Sequence, residues 1–568
     1  MKKKDLLKIA ELFALSNKAE FGQALLNKVM AKLFGLKDVD KRFILDLQPE
    51  ISQVIEKINK LSKEEVEARL SELKQEEKGK ARLKKRKARK GLPELAEAKR
   101  GKVVMRLAPF PSGPLHIGNA RPYVLNDEYV KHYQGKLLLV IDDTIGSEEK
   151  QIVPEAYKLI PEGLKWLQIK WQEPIIYKSD RLEIYYSYAY KLIEAGHAYV
   201  CFCSHEQIKE NRAKARSCKC REHSVKENLE YFDEMLSNRY KAGEAVLRIK
   251  TSMQHPNPAF RDRVLLRISD RKHPRTEAKI WPLLEFSWAI DDYLLGITHV
   301  LRGKELMIET DMERYLFKLF GWKEPIFIHT GLLQFKDIKI SKSKSRQEVL
   351  SGKYFGWDDP RTWSLQSLAK RGLLAEAIRK FCLSFGLTQH EITVPVEILY
   401  KENRKLLDPV AKRFFFINDP VQIKIKSAPT LKAELPLHPQ KPEMGKRIFT
   451  CKDEFLICKQ DYELIKNAPD GTMFRFMDLF NWVKQGDEFI FHSVQYNKEL
   501  KAKLIHFLPA NEKLIKVKVL MPDASLKQGL GEKGLAELNQ GEIIQFERFG
   551  FCRLNEVNKE LVFWYAHP

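Results

Sequence analysis

Apolar positions in the first 75 residues recur at three- and four-residue steps: Leu6, Ile9, Ala10 and Phe13, then Leu25, Leu26 and Val29. Such spacing puts one apolar face on each helix and predicts a small helical domain. A different rhythm begins near residue 100. Val103 to Leu107 is a short apolar run that reads as a buried strand, and Arg121 to Tyr133 returns to helical spacing through Tyr123, Leu125, Tyr129, Val130 and Tyr133. Leu137 to Ile141 is a second apolar run and ends in Asp142-Asp143-Thr144. Glu155 to Leu167 and Arg181 to Ala195 then read as amphipathic helices. Strands alternating with helices predict a parallel sheet, whose ligands sit beyond the carboxyl ends of its strands.

Ala245 to His273 is strand-like and basic and reads as a module inserted between two halves of that sheet. The second half resumes at Trp281 to Asp292 and Gly296 to Lys304. Pro360 to Leu387 is helical, with Leu365, Leu368, Leu373, Ile378 and Phe381 facing inward. Beyond Asp408-Pro409, runs such as Val421 to Lys426, Ile515 to Val519, Ile543 to Phe546 and Leu561 to Tyr565 are β in pattern and divided by turn residues, which predicts antiparallel barrels or sandwiches. The expected architecture is a multidomain α/β plus all-β protein. Its parts are a helical region with a basic linker over 1–100, a Rossmann-like parallel-sheet domain over 101–195 and 276–345, an insert over 196–275, a helical connecting subdomain over 346–412, and β-barrels over 413–568.

Candidate chemistry concentrates between the first strand and its helix. Pro109, Pro111, Gly113 and Pro114 fix the turn, and His116 falls where the helix should begin. Free backbone N–H groups and the positive helix end make that position an anion site, into which His116 and Asn119 would project. A structural strand-to-helix connection would look the same in isolation. Asp142 ends the next strand and falls on the same cleft. Arg302 lies just past another strand end, where a cleft residue and a structural salt bridge have the same spacing. Lys339-Ile-Ser-Lys-Ser-Lys-Ser345 has too little apolar content for a core and suits a mobile basic loop over phosphates.

Charge sharpens the choice of partner. The chain of 568 residues carries 99 Lys and Arg against 76 Asp and Glu, a formal charge of +23. That surplus attracts polyanions, nucleic acid first. The dense basic run over 78–90 reads either as a solvated linker or as a direct RNA phosphate contact. No apolar run approaches membrane-spanning length, and Lys8 and Glu11 interrupt the segment after Met1-Lys2-Lys3-Lys4. A cytoplasmic protein without a membrane partner is expected. Four of the eight cysteines form two C-x-C pairs, Cys201/Cys203 and Cys218/Cys220, the spacing of a closed tetrahedral zinc site. His205 and His223 stand nearby as substitute ligands.

The order His116-Ile-Gly-Asn119 after a first strand, an insert, then Lys339-Ile-Ser-Lys342-Ser343 resembles the two signatures of class I aminoacyl-tRNA synthetases. Arg106 to Arg121, Ile141-Asp-Asp-Thr144 and Gly296-Ile-Thr-His-Val-Leu-Arg-Gly-Lys304 are similar to the glutamyl-tRNA synthetases of archaeal type. Asn403 to Pro409 and Phe546-Glu-Arg-Phe-Gly-Phe551 extend the likeness into the β region.

The resemblance implies ATP-dependent attachment of glutamate to tRNA(Glu) through a glutamyl-adenylate, with tRNA(Gln) as a second acceptor in non-discriminating members of the family. ATP, Mg²⁺ and tRNA follow as cofactor and partners, with the insert holding the acceptor end and the barrels the anticodon. His116, Asn119, Lys339 and Lys342 then serve catalysis. Pro109, Ser112, Gly113 and Gly118 would line the ATP site together with Leu333 and Ser341. Arg106, Ala108, Asp142, Leu284, Trp288 and Arg302 would line the amino-acid site, with Asp142 on the α-ammonium and the two arginines on the side-chain carboxylate. A monomer is expected, with structural Zn²⁺ on the cysteines. Glutaminyl-tRNA synthetase and an inactive synthetase-like tRNA-binding protein are the alternatives. Several positions depart from the pattern: Leu284 replaces a tyrosine, Trp288 a small residue, Val140 and Leu332 arginines, and Ile145-Gly146 an Asp-Pro.

Overall fold

The computed structural model describes residues 3–34, 41–62, 64–70, 73, 91–146 and 151–568. The basic run over 78–90 lies outside them. Residues 1–92 and 93–568 form two compact units.

The first unit contains the helices Lys3–Phe21, Leu26–Phe34, Lys41–Asp46 and Gln48–Asn59. Leu6, Ala10 and Ala14 stack at four-residue steps on the first helix and are buried with Val29, Leu33, Ile51 and Ile55. The helical reading of this region holds, although Leu25 is exposed and lies outside that core.

In the second unit, β1 (Val104–Leu107), β2 (Lys136–Ile141) and β3 (Gln172–Tyr177) form a parallel sheet. A second parallel pair, β8 (His299–Gly303) and β9 (Ile326–Thr330), lies alongside it. The Thr298 N–H donates to the Val104 carbonyl at 2.9 Å, and the Val104 N–H donates to Thr298 Oγ1 at 2.9 Å. Met105, Leu107, Leu139, Val140, Ile141, Val300 and Leu301 are buried, as expected for strands covered on both faces. Four antiparallel strands fill the interval between the two halves: β4 (Ala198–Cys201), β5 (Val246–Ile249), β6 (Val264–Ile268) and β7 (Ile280–Pro282). The insert therefore runs to Pro282, past the expected limit of 275, because Ile280 and Trp281 pair with Ile268 and Arg267.

Other expectations shift. The Lys339 to Ser345 stretch, expected as a loop, enters a helix at Lys342 (Lys342–Leu350), with Ser341 Oγ accepting the Lys344 N–H at 3.3 Å. The 360–387 segment is two helices, Leu365–Arg371 and Ala375–Ser384, parted at Gly372, whose φ of 92° is left-handed. The C-terminal region is β-rich but not purely antiparallel. Ile515–Leu520 pairs in parallel with Leu561–His567, and Phe474 to Phe476 in parallel with Lys503 to Ile505. The 40 residues between Leu520 and Leu561 and the 26 between Phe476 and Lys503 both exceed the dozen or so that a crossover needs, so each permits a parallel return.

Candidate functional site

The sequence of the Pro/Gly turn dictates its own hydrogen bonding. Prolines offer carbonyls but no N–H groups, so their carbonyls accept from elsewhere. The Asp142 N–H donates to the Pro109 carbonyl (3.1 Å) and the Val153 N–H to the Pro111 carbonyl (2.8 Å). These bonds tie the turn to the end of β2. From the other side, the Leu365 N–H donates to Leu115 and the Ile117 N–H to Trp363. Gly113 has φ 139°, and a Cβ there would stand 2.8 Å from the Trp357 ring, so only glycine admits that close cover. No local signal in the sequence marks the 357–365 segment as the clamp on this turn.

His116 is the N-cap residue of the Ile117–Tyr133 helix, with extended backbone (φ −122°). Asn119 reaches back one turn, its Oδ1 accepting the His116 N–H at 3.4 Å. The His116 Nδ1 is buried and has no hydrogen-bond partner among the described residues. Burial first, and then the Lys342 ammonium, push His116 down to about 3. The ring is therefore neutral near pH 7 and can donate one N–H to an anion without carrying charge. A Cβ on Gly118 would lie 3.0 Å from the His116 ring and 3.7 Å from the Leu333 carbonyl, so Leu333 does border the turn. Lys342 opens its helix, while Lys339 and Ser341 precede it and are exposed. The turn, Leu333 and the Lys342 helix start thus share one location, as the sequence predicts.

The residues expected at the amino-acid end also converge, but they arrive already paired. Arg106 on β1 forks onto Asp292, with Nη2 2.9 Å from Oδ2. Arg302 on β8 donates to Glu313 Oε1 at 2.8 Å and to Thr310 Oγ1. Its Nε and Glu313 Oε2 are buried without partners among the described residues. Burial pushes Glu313 up to about 7 although Arg302 pulls it down. Asp142 is 2 % exposed, accepts from Thr144 Oγ1 at 3.0 Å, and lies 3.7 Å from the Lys178 ammonium. Asp143 has a structural task, accepting from the Ser179 N–H, Ser179 Oγ and Tyr157. Trp288 is buried and its ring is in contact with both Arg106 and Lys178, while Leu284, at the start of the same helix, is half-buried. Ala108, also half-buried, follows β1.

Lys178, Asp292, Thr310 and Glu313 escaped the sequence reading. Asp291-Asp292 carried a signal as paired carboxylates. Lys178 carried only its place immediately after β3, where a parallel sheet presents ligand-binding residues. Among the departures from the family pattern, Val140 and Ile145 are buried apolar residues that extend the core, and Leu332 is exposed.

The four cysteines come together as expected. All four sulfur atoms lie within 4.8 Å of one another, and Cys201 and Cys218 are 3.8 Å apart. An S–S edge of about 3.8 Å is that of a tetrahedron with metal–sulfur bonds of ~2.3 Å. Arg248 Nη1 donates toward Cys201 and Cys218 at 3.5 and 3.7 Å. The hydrogen bond between the Cys201 and Cys218 sulfurs lowers Cys218 and raises Cys201, and burial raises Cys203 to about 11. His205 and His223 are not part of the cluster.

A family model described as "tRNA synthetases class I (E and Q), catalytic domain" matches residues 102–409, and two anti-codon binding domain models match 411–501 and 480–555. Three archaeal proteins named glutamate--tRNA ligase are similar over almost their whole length. That of Methanothermobacter marburgensis is 40% identical, covering 98% of both chains. That of Pyrococcus furiosus is 41% identical over 99% of both, and that of Methanocaldococcus jannaschii 42% over 92% of both.

Proposed function

The chain belongs to the class I tRNA synthetases for glutamate and glutamine, and on that premise we propose how its residues attach glutamate to tRNA. The protein is a glutamate--tRNA ligase. In the first step, a glutamate carboxylate oxygen bonds to the α-phosphorus of ATP and pyrophosphate leaves. In the second, a hydroxyl of the tRNA terminal adenosine attacks the acyl carbon and AMP leaves. ATP arrives with Mg²⁺ on its phosphates, which neutralises part of their charge. Phosphoryl transfer needs positioning and charge stabilisation more than covalent help. The neutral His116 ring donates its N–H to a phosphate oxygen, Asn119 holds the helix entry, and the Ile117–Tyr133 N-terminus adds its free N–H groups. Lys342 supplies positive charge from the far half of the sheet, with Lys339 on the same segment. Pro109, Ser112, Gly113, Gly118, Leu333 and Ser341 border the nucleotide.

Asp142 takes the substrate α-ammonium, and Arg302 and Arg106 face its side-chain carboxylate beside Ala108, Leu284 and Trp288. A guanidinium left against a neutral amide would be unpaired, which opposes glutamine. A cavity of about 1010 Å³ in the insert is lined by Lys209, Arg212, Arg267 and Arg271 together with Ile208 and Val264. Its basic and apolar mixture suits the phosphates and bases of the acceptor end. The β-rich region from 411 onward takes the anticodon. Cys201, Cys203, Cys218 and Cys220 would hold a structural Zn²⁺, and as four thiolates leave no open position, the ion would stabilise the insert.

The observation that carries this reading is the placement of Asp142 at the end of β2 and Arg302 near the end of β8, on two adjoining parallel sheets, with His116 opening the helix that follows β1. ATP–pyrophosphate exchange with each of the twenty amino acids, tRNA present, tests it. Glutamate is expected to support exchange. Exchange with none, or with glutamine alone, overturns it.

A further inference from the structure

Lys178 is fully buried, yet the site described above gives it no role. It follows β3 directly, so the sheet delivers it to the same end as Asp142 and Arg302. Its ammonium donates to Ser287 Oγ at 2.7 Å, stands 3.7 Å from Asp142 Oδ1, and sits 3.4 Å from the centroid of the Trp288 ring. The Arg106 guanidinium also stacks on the indole, its central carbon 3.4 Å from the ring centroid. Trp288 is 3 % exposed. An ammonium held between a carboxylate, a hydroxyl and an aromatic face has everything an amino acid's α-ammonium would look for.

We infer that Lys178 determines how this pocket selects its amino acid: its ammonium occupies the place at Asp142 that the substrate's α-ammonium needs, so glutamate binds in competition with the chain's own lysine. This rests on the reading of the pocket given above. A second ammonium brought to Asp142 meets the Lys178 ammonium within a buried, low-dielectric site, where the two like charges repel. The surrounding charges do not remove the conflict. Asp291 and Asp292 favour a charged Lys178, Arg106 opposes it, and burial disfavours it most. Asp291 is itself engaged by Arg181 at 2.8 Å and Tyr185 at 2.7 Å, and Asp292 by Arg106. Asp142 is therefore the carboxylate over which the two ammonium groups compete. A ligand without an α-ammonium escapes the competition, since it leaves Lys178 where it is.

Glutarate, which is glutamate without its amino group, is the probe. With the full-length wild-type protein and tRNA, glutarate is expected to inhibit glutamate-dependent exchange with an inhibition constant within tenfold of the glutamate KM. In Lys178→Met, which keeps volume and removes charge, the glutamate KM should fall tenfold or more, the KM for ATP serving as control, and glutamate should then outbind glutarate. A glutarate constant more than tenfold weaker in the wild type, or a glutamate KM unchanged or raised in a folded Lys178→Met, overturns the inference. Should that variant fail to melt cooperatively, the wild-type ratio decides alone. Absence of exchange with any amino acid would count against the synthetase reading and not against Lys178, for which calorimetric binding of glutamate and glutarate yields the same ratio.

Discussion

Replacing Arg302 by alanine separates what this arginine does for the fold from what it does for the substrate. The side chains of Arg302 and Glu313 are 8% and 0% exposed and 2.8 Å apart. Removing one partner of a buried pair strands the other, at a cost of about 3–5 kcal/mol. Glu313 already titrates at about 7 beside Arg302, so without it the carboxyl protonates and the low end, about 3 kcal/mol, is expected. At roughly 2–4 °C per kcal/mol for a domain of this size, the melting transition should drop by about 6–12 °C. Arg302→Ala combined with Glu313→Gln removes the stranded charge and should recover most of that loss. Substrate recognition behaves differently. Losing a charge-assisted fork to the side-chain carboxylate costs about 2–4 kcal/mol, or roughly 30- to 1000-fold in kcat/KM for glutamate. Neither variant can rebuild that fork. Differential scanning calorimetry and glutamate-dependent ATP–pyrophosphate exchange, run on both variants, measure the two effects independently. If exchange returns together with stability in the double variant, Arg302 is a structural partner of Glu313 and the assignment to the carboxylate fails.

Two further outcomes are expected. The purified protein should carry about one zinc per chain by elemental analysis, and Cys218→Ser should abolish it and loosen the insert, seen as faster amide hydrogen exchange in β4 and β5; a zinc-free, equally protected wild type would refute the site. In the C-terminal region Glu532 is buried against Arg447, and burial raises its carboxyl from 4.5 to about 7. A carboxyl with a raised folded pKa contributes stability that is fully present below its unfolded value and lost as pH rises through its folded one. Between pH ~4.5 and ~7 the wild type should therefore lose on the order of 3 kcal/mol that Glu532→Gln does not lose, the shift of about 2.5 pH units converted at 1.36 kcal/mol each. Urea unfolding of both proteins at the two ends of that window checks it, and parallel pH profiles would sink the argument.

Much of this protein was determined by sequence alone, because the relevant signals are local. The three- and four-residue apolar steps fixed the N-terminal helices, and continuous apolar runs ending in Asp142 and Arg302 marked buried parallel strands. Prolines and glycines confine a turn without help from distant residues, so the His116 turn could be read before any coordinate. Cysteines two apart are close in any backbone, so the two C-x-C pairs of the cysteine cluster were legible as well. Tertiary structure decided what depends on partners far along the chain. It set the clamp of 357–365 on the turn, the parallel returns in the β region, and the neutral state of His116 beside Lys342. It also decided that Arg106 and Arg302 meet Asp292 and Glu313, and that Lys178 stands beside Asp142 and over the Trp288 ring. The physical reason is burial. Which charge meets which inside a low-dielectric site is fixed by how strands and helices pack, whether the partners are 186 residues apart, as Arg106 and Asp292 are, or 11, as Arg302 and Glu313 are, and spacing along the chain does not record it.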